Sequence, residues 1–315
     1  MQSMKNSKTI DTLNIIIGAG GFIGAALTSA LSKANAHVLA ITGSNTVLES
    51  TGKILAINKR VSSFGFLDHH IRSAERCIVY YLINTTSPAK SHQAPHQDIE
   101  NNLTLFISFL EWVSQKDKIS KVVYTSSGGT VYGNNVEIPT LETSSTDPIS
   151  FYGMSKLTAE NYLKLFGKIH NINYTIARIS NPYGTSQKLQ RGQGLIAMLT
   201  EKISHQEPIH IIGKGTMVRD YIYIDDVITA LLLCGENDAL NKQIVNIASG
   251  RGYSIIEIVK IFEEILDIQV EKNYLPERKS DVETSILDIT KMKSLTGWSP
   301  KTSIKAGISN ILNRS

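Results

Sequence analysis

Two cysteines, Cys77 and Cys234, are all that the 315 residues contain. Both sit inside apolar runs, which predicts two buried free thiols and argues against a disulfide framework or a cysteine-ligated metal site. No apolar run reaches the roughly 18 residues that a membrane-spanning helix needs. The first twelve residues are polar and carry no hydrophobic signal segment. The expectation is therefore a cytoplasmic protein with no membrane partner. Charge of one sign is never concentrated. The 32 Lys and Arg against 28 Asp and Glu leave a net +4 scattered along the chain, so nucleic-acid binding has little support. Internal repeats and low-complexity segments are absent as well, which excludes solenoids and disordered tails. What remains is an ordinary globular composition, in a chain long enough for a large α/β domain with an appended lobe.

Leu13 to Ile17 is a short apolar run that reads as a buried strand. Gly18-Ala-Gly-Gly21-Phe22-Ile23-Gly24 follows, then a helical pattern from Ala25 to Leu31. Strand, glycine turn and helix make a dinucleotide-binding unit. Gly18 permits the tight turn, and Gly21 lets the backbone approach a pyrophosphate at the free N–H groups of the helix start. Gly24 lets that helix pack close to the strand. Phe22 and Ile23 open the helix and join the candidate cofactor contacts. The second strand, His37 to Thr42, is followed by Gly43-Ser44-Asn45, with neither carboxylate nor arginine. Thr42 and the groups after it suit the ribose of either NAD or NADP.

Further strands are expected at 77–83, 121–125 and 173–178, alternating with a long helix at 98–115 and another after Ser150. They deliver Asn84, Ser126-Ser127-Gly128 and Ile179 to the carboxyl edge of a doubly wound parallel sheet, where ligands bind. The helix after Ser150 carries Tyr152 and Lys156, four residues apart and so on one face. A free phenol has a pKa of about 10. A neighbouring ammonium favours the phenolate, which is how a tyrosine becomes an acid/base near neutral pH.

Beyond residue 185 the rhythm changes to short strands, with Asp225-Asp226 and Ser254 as expected helix caps. The fold class is α/β, a Rossmann-like doubly wound sheet with a smaller α/β substrate lobe. Residues 1–184 are expected to form the dinucleotide-binding domain, to which some later segments return, and 185–315 a smaller lobe over the strand ends.

Taken in order, Gly18-x-x-Gly21-x-x-Gly24, Ser126-Ser127 and Tyr152-x-x-x-Lys156 resemble the short-chain dehydrogenase/reductase superfamily. Asn181-Pro-Tyr-Gly184, Arg219 to Asp226, Asn246 to Gly250, Arg278 with Asp281, and Gly297-Trp-Ser-Pro300 are similar to its extended, nucleotide-sugar-modifying branch, of the UDP-glucose (UDP-galactose) 4-epimerase type. The resemblance implies NAD as cofactor, with NADP left open, and a UDP-sugar as substrate, with 185–315 as the nucleotide-sugar-binding lobe. It implies that Tyr152 takes the proton of the sugar 4-hydroxyl, and that Lys156 binds the nicotinamide ribose and lowers the tyrosine pKa. Asn102 matches an asparagine near that lysine. Asn181 and the backbone at Gly194 and Leu195 match groups on the diphosphate, and Arg219 and Arg278 match arginines on the UDP. It further implies a homodimer through the two long helices, with Phe109, Trp112 and Leu165 available for it, and a place in polysaccharide biosynthesis.

Three departures qualify the match. The family serine or threonine is expected at Gly128, so the hydroxyl must come from Ser127, Ser126 or Thr130, with Ser127 favoured. Gly129 and Thr130 stand where dehydratases carry an acidic pair, which argues against elimination chemistry. The acidic residue after the second strand is missing. A small Ser285 falls at the position that gates the sugar pocket, which predicts room for an N-acetyl group. The readings are an epimerase holding NAD, a 4-ketoreductase using NAD(P)H, and an inactive dinucleotide-binding regulator. No metal is expected.

Overall fold

The computed structural model describes residues 10–43, 48–134, 136–187, 194–276 and 282–313. The first described strand lies inside the largest sheet. Strand β1 (Ile10–Ile17) is followed outward by β2 (His37–Thr42) and β3 (Ile54–Asn58). The chain then crosses back to β4 (Ala74–Tyr81), β5 (Ile119–Ser127) and β6 (Tyr174–Ile179) on the other side of β1. All these neighbours pair parallel, and helix lies in the connections from β1 to β2, β3 to β4, β4 to β5 and β5 to β6. The order reverses between β1 and β4, which opens a crevice beyond their carboxyl ends.

Both faces of the sheet are covered, so alternate residues of one strand enter different cores. Ile15 and Ile17 join Phe106, Phe109 and Leu163 on one side. Ile16 joins Leu27, Leu31 and Leu231 on the other. That is why β1 reads as a continuous apolar run and not as an alternating one. Cys77 and Cys234 are both buried and unpaired.

The smaller lobe grows directly from β6. Strand β7 (Asn181–Tyr183) pairs with β9 (Val218–Tyr223), and β8 (Ile209–Ile212) lies apart from them. The helix Ile224–Glu236 then returns against the first helix, Phe22–Lys33, and β10 (Gln243–Ile247) adds a seventh parallel strand beside β6. Strand β11 (Gly252–Ser254) pairs antiparallel with β9, β12 (Lys272–Leu275) pairs with β8, and β13 (Thr284–Ser285) pairs parallel with β9. A cut after residue 184 therefore separates segments of chain that interleave in space. Ser254 caps the helix Ile255–Leu266 reciprocally with Glu257.

Three expectations need correction. The helix at 98–115 is not uniform: Pro95–Asp98 is α-helical, Ile99–Thr104 is π-helical, and Leu105–Val113 is α-helical again. Such wide turns re-aim side chains and concentrate at functional sites. Asp225 and Asp226 do not cap the following helix, which starts one residue earlier at Ile224 with Tyr223 at its N-cap. The Asp226 carboxylate instead accepts the backbone N–H groups of Lys301 and Thr302, both at 3.0 Å. Phe109 and Trp112 are buried against the sheet and are not available to a partner, whereas Leu165 is exposed.

Candidate active site

The glycine turn leaves β1 at the crevice. Gly18 has φ +102°, and a Cβ there would meet the Leu82 carbonyl carbon at 3.0 Å and the Ile83 nitrogen at 3.1 Å. A Cβ on Gly24 would fall 2.8 Å from Ala19 Cα and 2.9 Å from Gly18 C, both backbone atoms that cannot swing aside. These two glycines are required by the fold itself. Gly21 is different. Its φ is −80°, and a Cβ would make only an ordinary 3.4 Å contact with Gly18 O. Gly21 is the N-cap of the Phe22–Lys33 helix. It supplies no side-chain cap, and the first turn holds no acidic residue. The bare backbone there fits the pyrophosphate of a dinucleotide, which helix N–H groups and the macrodipole favour. Thr42 closes β2 but is only 1% exposed, which leaves little of its side chain for a ribose. Ser44 and Asn45 lie outside the described residues.

The helix Phe151–Ile169 brings Tyr152 and Lys156 to the same crevice. Ser150 caps it by accepting the Gly153 N–H at 3.1 Å. The Tyr152 N–H, an orphan of the first turn, is donated to Ser91 Oγ at 3.0 Å. Consecutive residues of β5 then meet residues one turn apart on the helix. Lys156 Nζ donates to Thr125 O at 3.0 Å, Ser126 Oγ donates to Glu160, and the Ser127 side chain faces the Tyr152 phenol and favours its ionised form. The ammonium also lies 5.0 Å from the Tyr124 ring centre and 5.9 Å from that of Tyr152. Burial pulls Lys156 down to about 8, against the upward pull of Asp98 and Glu160. Burial pushes Tyr152 up to about 12, with the Ser127 hydrogen bond opposing it and Asp98 adding to it. In the chain alone the phenol is thus a proton holder. A further positive charge beside it is what would favour the phenolate.

Asp98 was not among the residues singled out from sequence. It is 0% exposed and makes no salt bridge among the described residues. Its carboxylate accepts from Thr86 Oγ1 and Ser155 Oγ, and from Asn102 Nδ2 at 3.0 Å. Asn102 Oδ1 in turn accepts the Thr85 N–H at 2.9 Å. The π-helical turn places Asp98 and Asn102 together against the loop after β4, and Asn84 and Asn102 line a small cavity with Lys156. In sequence Asp98 reads as a polar helix opening, so no local signal marks it.

The three hydroxyl candidates now separate. Ser126 is buried and spent on Glu160. Thr130 turns back toward Ser127 O at 3.5 Å. Ser127 is the one joined to Tyr152. Gly128 is bonded through its N–H to Ile179 O at 2.9 Å, and a Cβ there would overlap Cδ1 of Leu287. A serine at Gly128 would need Leu287 to move, which is a physical reason for the glycine.

On the substrate side, Asn181 Nδ2 donates to Asp220 O at 2.9 Å and lies 4.0 Å from the Cβ position of Gly129. Gly194, φ +100°, is the N-cap of the helix Leu195–Ser204 and again supplies no side-chain cap. Arg219 Nη1 donates to Val218 O at 2.9 Å. Ser285 stands opposite Arg219 in the β13–β9 pairing, two residues before Leu287. Arg278 and Asp281 lie outside the described residues.

Comparison with known proteins gives this arrangement a family. The model of the NAD dependent epimerase/dehydratase family matches residues 14–248. A putative UDP-glucose 4-epimerase of Methanocaldococcus jannaschii is 32% identical over 306 residues, 95% of this chain and 97% of that protein. A dTDP-4-dehydro-6-deoxyglucose reductase of Escherichia coli is 29% identical over 95% of this chain and 96% of that one. The crystal structure of UDP-glucose 4-epimerase with UDP-glucose from Thermotoga maritima superposes with a TM-score of 0.86, at 32% identity, over 96% of this chain and 97% of that one. With the glycine turn, the Tyr152–Lys156 helix and the Ser127 strand end all converging on one crevice, the chain belongs to the NAD-dependent epimerase/dehydratase family.

Proposed function

We propose that this protein is a 4-epimerase of UDP-hexoses or UDP-N-acetylhexosamines that works with bound NAD. The observation that carries the reading is the Tyr152 phenol facing the Ser127 side chain, one turn from buried Lys156, whose ammonium lies 5.9 Å from the Tyr152 ring centre. Bound NAD supplies a reversible hydride acceptor and a positive ring. Gly18, Gly21, Phe22, Ile23 and Gly24 hold its pyrophosphate end, with Asn84 and Ile179 at the neighbouring strand ends. Tyr152 takes the proton of the sugar 4-hydroxyl as that carbon is oxidised and returns it on reduction from the other face. Ser127 has one O–H to donate, to the phenolate, while its oxygen can accept from the sugar hydroxyl. Lys156 orients the ribose and contributes charge, while Asn181, Gly194, Leu195, Arg219 and Arg278 bind the diphosphate and UDP.

The test is NMR of products formed from UDP-sugars and enzyme with no added cofactor. Interconversion at C4 is the expected result, and inert sugars with a cofactor-loaded protein sink the reading. The small Ser285 beside Arg219 further predicts turnover of UDP-N-acetylglucosamine as well as, or in place of, UDP-glucose. Clear exclusion of the acetylated sugar removes that part.

One observation favours a ketoreductase as the second reading. No carboxylate follows β2, and Arg60 sits against its end, its Cα 3.0 Å from the Cβ position of Gly43. A cation there suits a phosphorylated ribose. A 4-keto nucleotide sugar with NADPH separates the two, since a ketoreductase oxidises NADPH as it reduces that ketone and leaves plain UDP-hexoses unchanged.

The sign of the pH dependence follows from Lys156. Its folded pKa of about 8 lies below the ordinary 10.5, so the active ammonium is lost as pH rises through about 8. Between those values the unfolded chain holds the extra proton, so stability from this group rises with pH. A rate that declines above about pH 8 without a matching fall in melting temperature is expected.

A second copy of the chain is the partner we infer for the exposed apolar stripe Phe151, Met154, Tyr162, Leu165 and Ile169, at coiled-coil-like spacing on the outer side of the catalytic helix. Sedimentation or light scattering checks the homodimer. A cytoplasmic place, serving polysaccharide biosynthesis, fits an enzyme on nucleotide sugars. No described helix is long and apolar enough to cross a membrane.

A further inference from the structure

The helix that carries Tyr152 and Lys156 carries a third residue at the same spacing, Glu160. Positions i, i+4 and i+8 share one face, and Glu160 lies about 12 Å along the axis from Tyr152. It is 0% exposed and cannot be placed among the reacting groups. Its carboxylate is fully used. Oε2 pairs with Arg178 Nη2 at 2.7 Å, and Oε1 accepts from Arg178 Nε at 3.0 Å and from Ser126 Oγ. Ser126 and Arg178 are cross-strand partners in the β5–β6 register, so one carboxylate grips two adjacent strands near their carboxyl ends.

Each of those strands leads straight into the site. Ser126 precedes Ser127, the partner of Tyr152. Arg178 precedes Ile179, whose carbonyl holds the Gly128 N–H at 2.9 Å. The Arg178 guanidinium also stacks 4.8 Å from the Tyr132 ring centre, and its Nη1 donates to Glu142 O at 3.4 Å. Tyr132 in turn donates to Asn246 Oδ1 at 2.8 Å, on β10. The loop that follows Ser127 is therefore pinned to the same pair.

We propose that Glu160 and Ser126 are positioning residues that set the register of the Tyr152 helix against the Ser127 strand end. A helix is a rigid rod. Left to roll or slide by an ångström, it would take Tyr152 off the line between Ser127 and the sugar oxygen. Misplacement on that scale costs about a hundredfold in rate. The Lys156–Thr125 contact fixes the rod one turn beyond Tyr152, and the Glu160–Ser126 contact fixes its middle, so two points define its direction. The inference rests on the reading of Tyr152 as the acid/base and goes beyond it in assigning the residues that aim it. It also gives Ser126 a role other than direct catalysis.

The test begins with Ser126→Ala, which leaves the Glu160–Arg178 pair intact and so keeps the fold. The expected result is a fall of about tenfold in kcat, with KM for the UDP-sugar and the retained cofactor unchanged. The acid limb of the pH–rate profile should also move to higher pH, because a loosened Ser127 hydrogen bond stabilises the phenolate less. Ser126→Thr, which keeps a hydroxyl, should restore most of the rate. Glu160→Gln should reproduce the loss in kcat and also lower the melting temperature, since Arg178 is then buried without its counter-charge. Wild-type kcat in Ser126→Ala overturns the proposal, as does a loss that Ser126→Thr does not restore. Tyr152→Phe run alongside keeps two failures apart. An active Tyr152→Phe defeats the acid/base reading, whereas an inactive one beside a fully active Ser126→Ala defeats only the positioning role.

Discussion

Tyr152→Phe lowers the epimerisation rate by at least about a hundredfold, the ordinary worth of a positioned acid/base. The substitution removes one oxygen and little else. The N–H of residue 152 still reaches Ser91 Oγ, the Ser150 cap is untouched, and Lys156 keeps its Thr125 carbonyl. The phenol faces Ser127 at the end of β5. Loss of rate should therefore come without loss of fold or of bound NAD, which circular dichroism and the absorbance of released cofactor check. An unchanged rate rules out the mechanism. The burial that pushes Tyr152 to about 12 in the chain alone sharpens the expectation. A phenol so hard to ionise becomes useful only with cations beside it. Replacing Lys156 by methionine should then depress the rate even where Tyr152 is intact.

Gly24→Ala is expected to damage both stability and cofactor retention. The added methyl meets Ala19 Cα at 2.8 Å and Gly18 C at 2.9 Å, and neither can rotate away. Either the helix lifts from β1 or the turn deforms, at a cost of about 2 kcal/mol for overpacking of this kind. Both responses disturb the N–H groups at the start of the Phe22–Lys33 helix. Gly21→Ala provides the contrast. Its methyl meets only Gly18 O, at 3.4 Å, so the melting temperature should hold while NAD affinity falls about tenfold, or about 1.4 kcal/mol. Equal melting temperatures for the two variants contradict the division between a glycine the fold needs and one the ligand needs. Thermal melts with and without added NAD make the measurement.

The parts of the site that were legible in the sequence are those whose geometry is local. A strand, a glycine turn and a helix occupy about twenty consecutive residues, and glycine spacing alone says where a backbone must be bare. Tyr152 and Lys156 share a face because of helical pitch, whatever surrounds them. Ser254 caps its helix through Glu257, three residues away. The same locality explains the errors. Asp225-Asp226 has the composition of a cap, yet Asp226 is taken by N–H groups of Lys301 and Thr302, far along the chain. The apolar stripe of the 105–113 helix is core at Phe109 and Trp112, because the sheet arrives on that side.

By itself, then, the sequence determined the α/β class, the parallel sheet, the dinucleotide turn and the Tyr152–Lys156 pair, since each is set by chain stereochemistry over a few turns. Only the tertiary structure separates the two serines that could serve beside Tyr152. Ser126 and Ser127 are adjacent, and what divides them is a carboxylate 34 residues away from the first and a phenol on the same helix near the second. It likewise decided that Leu287 fills the space above Gly128, and that a π-helical turn buries Asp98 beside Ser155. These are contacts between segments distant in sequence. Their energies come from burial and from hydrogen bonds made in low dielectric, and neither exists until the strands and helices have assembled.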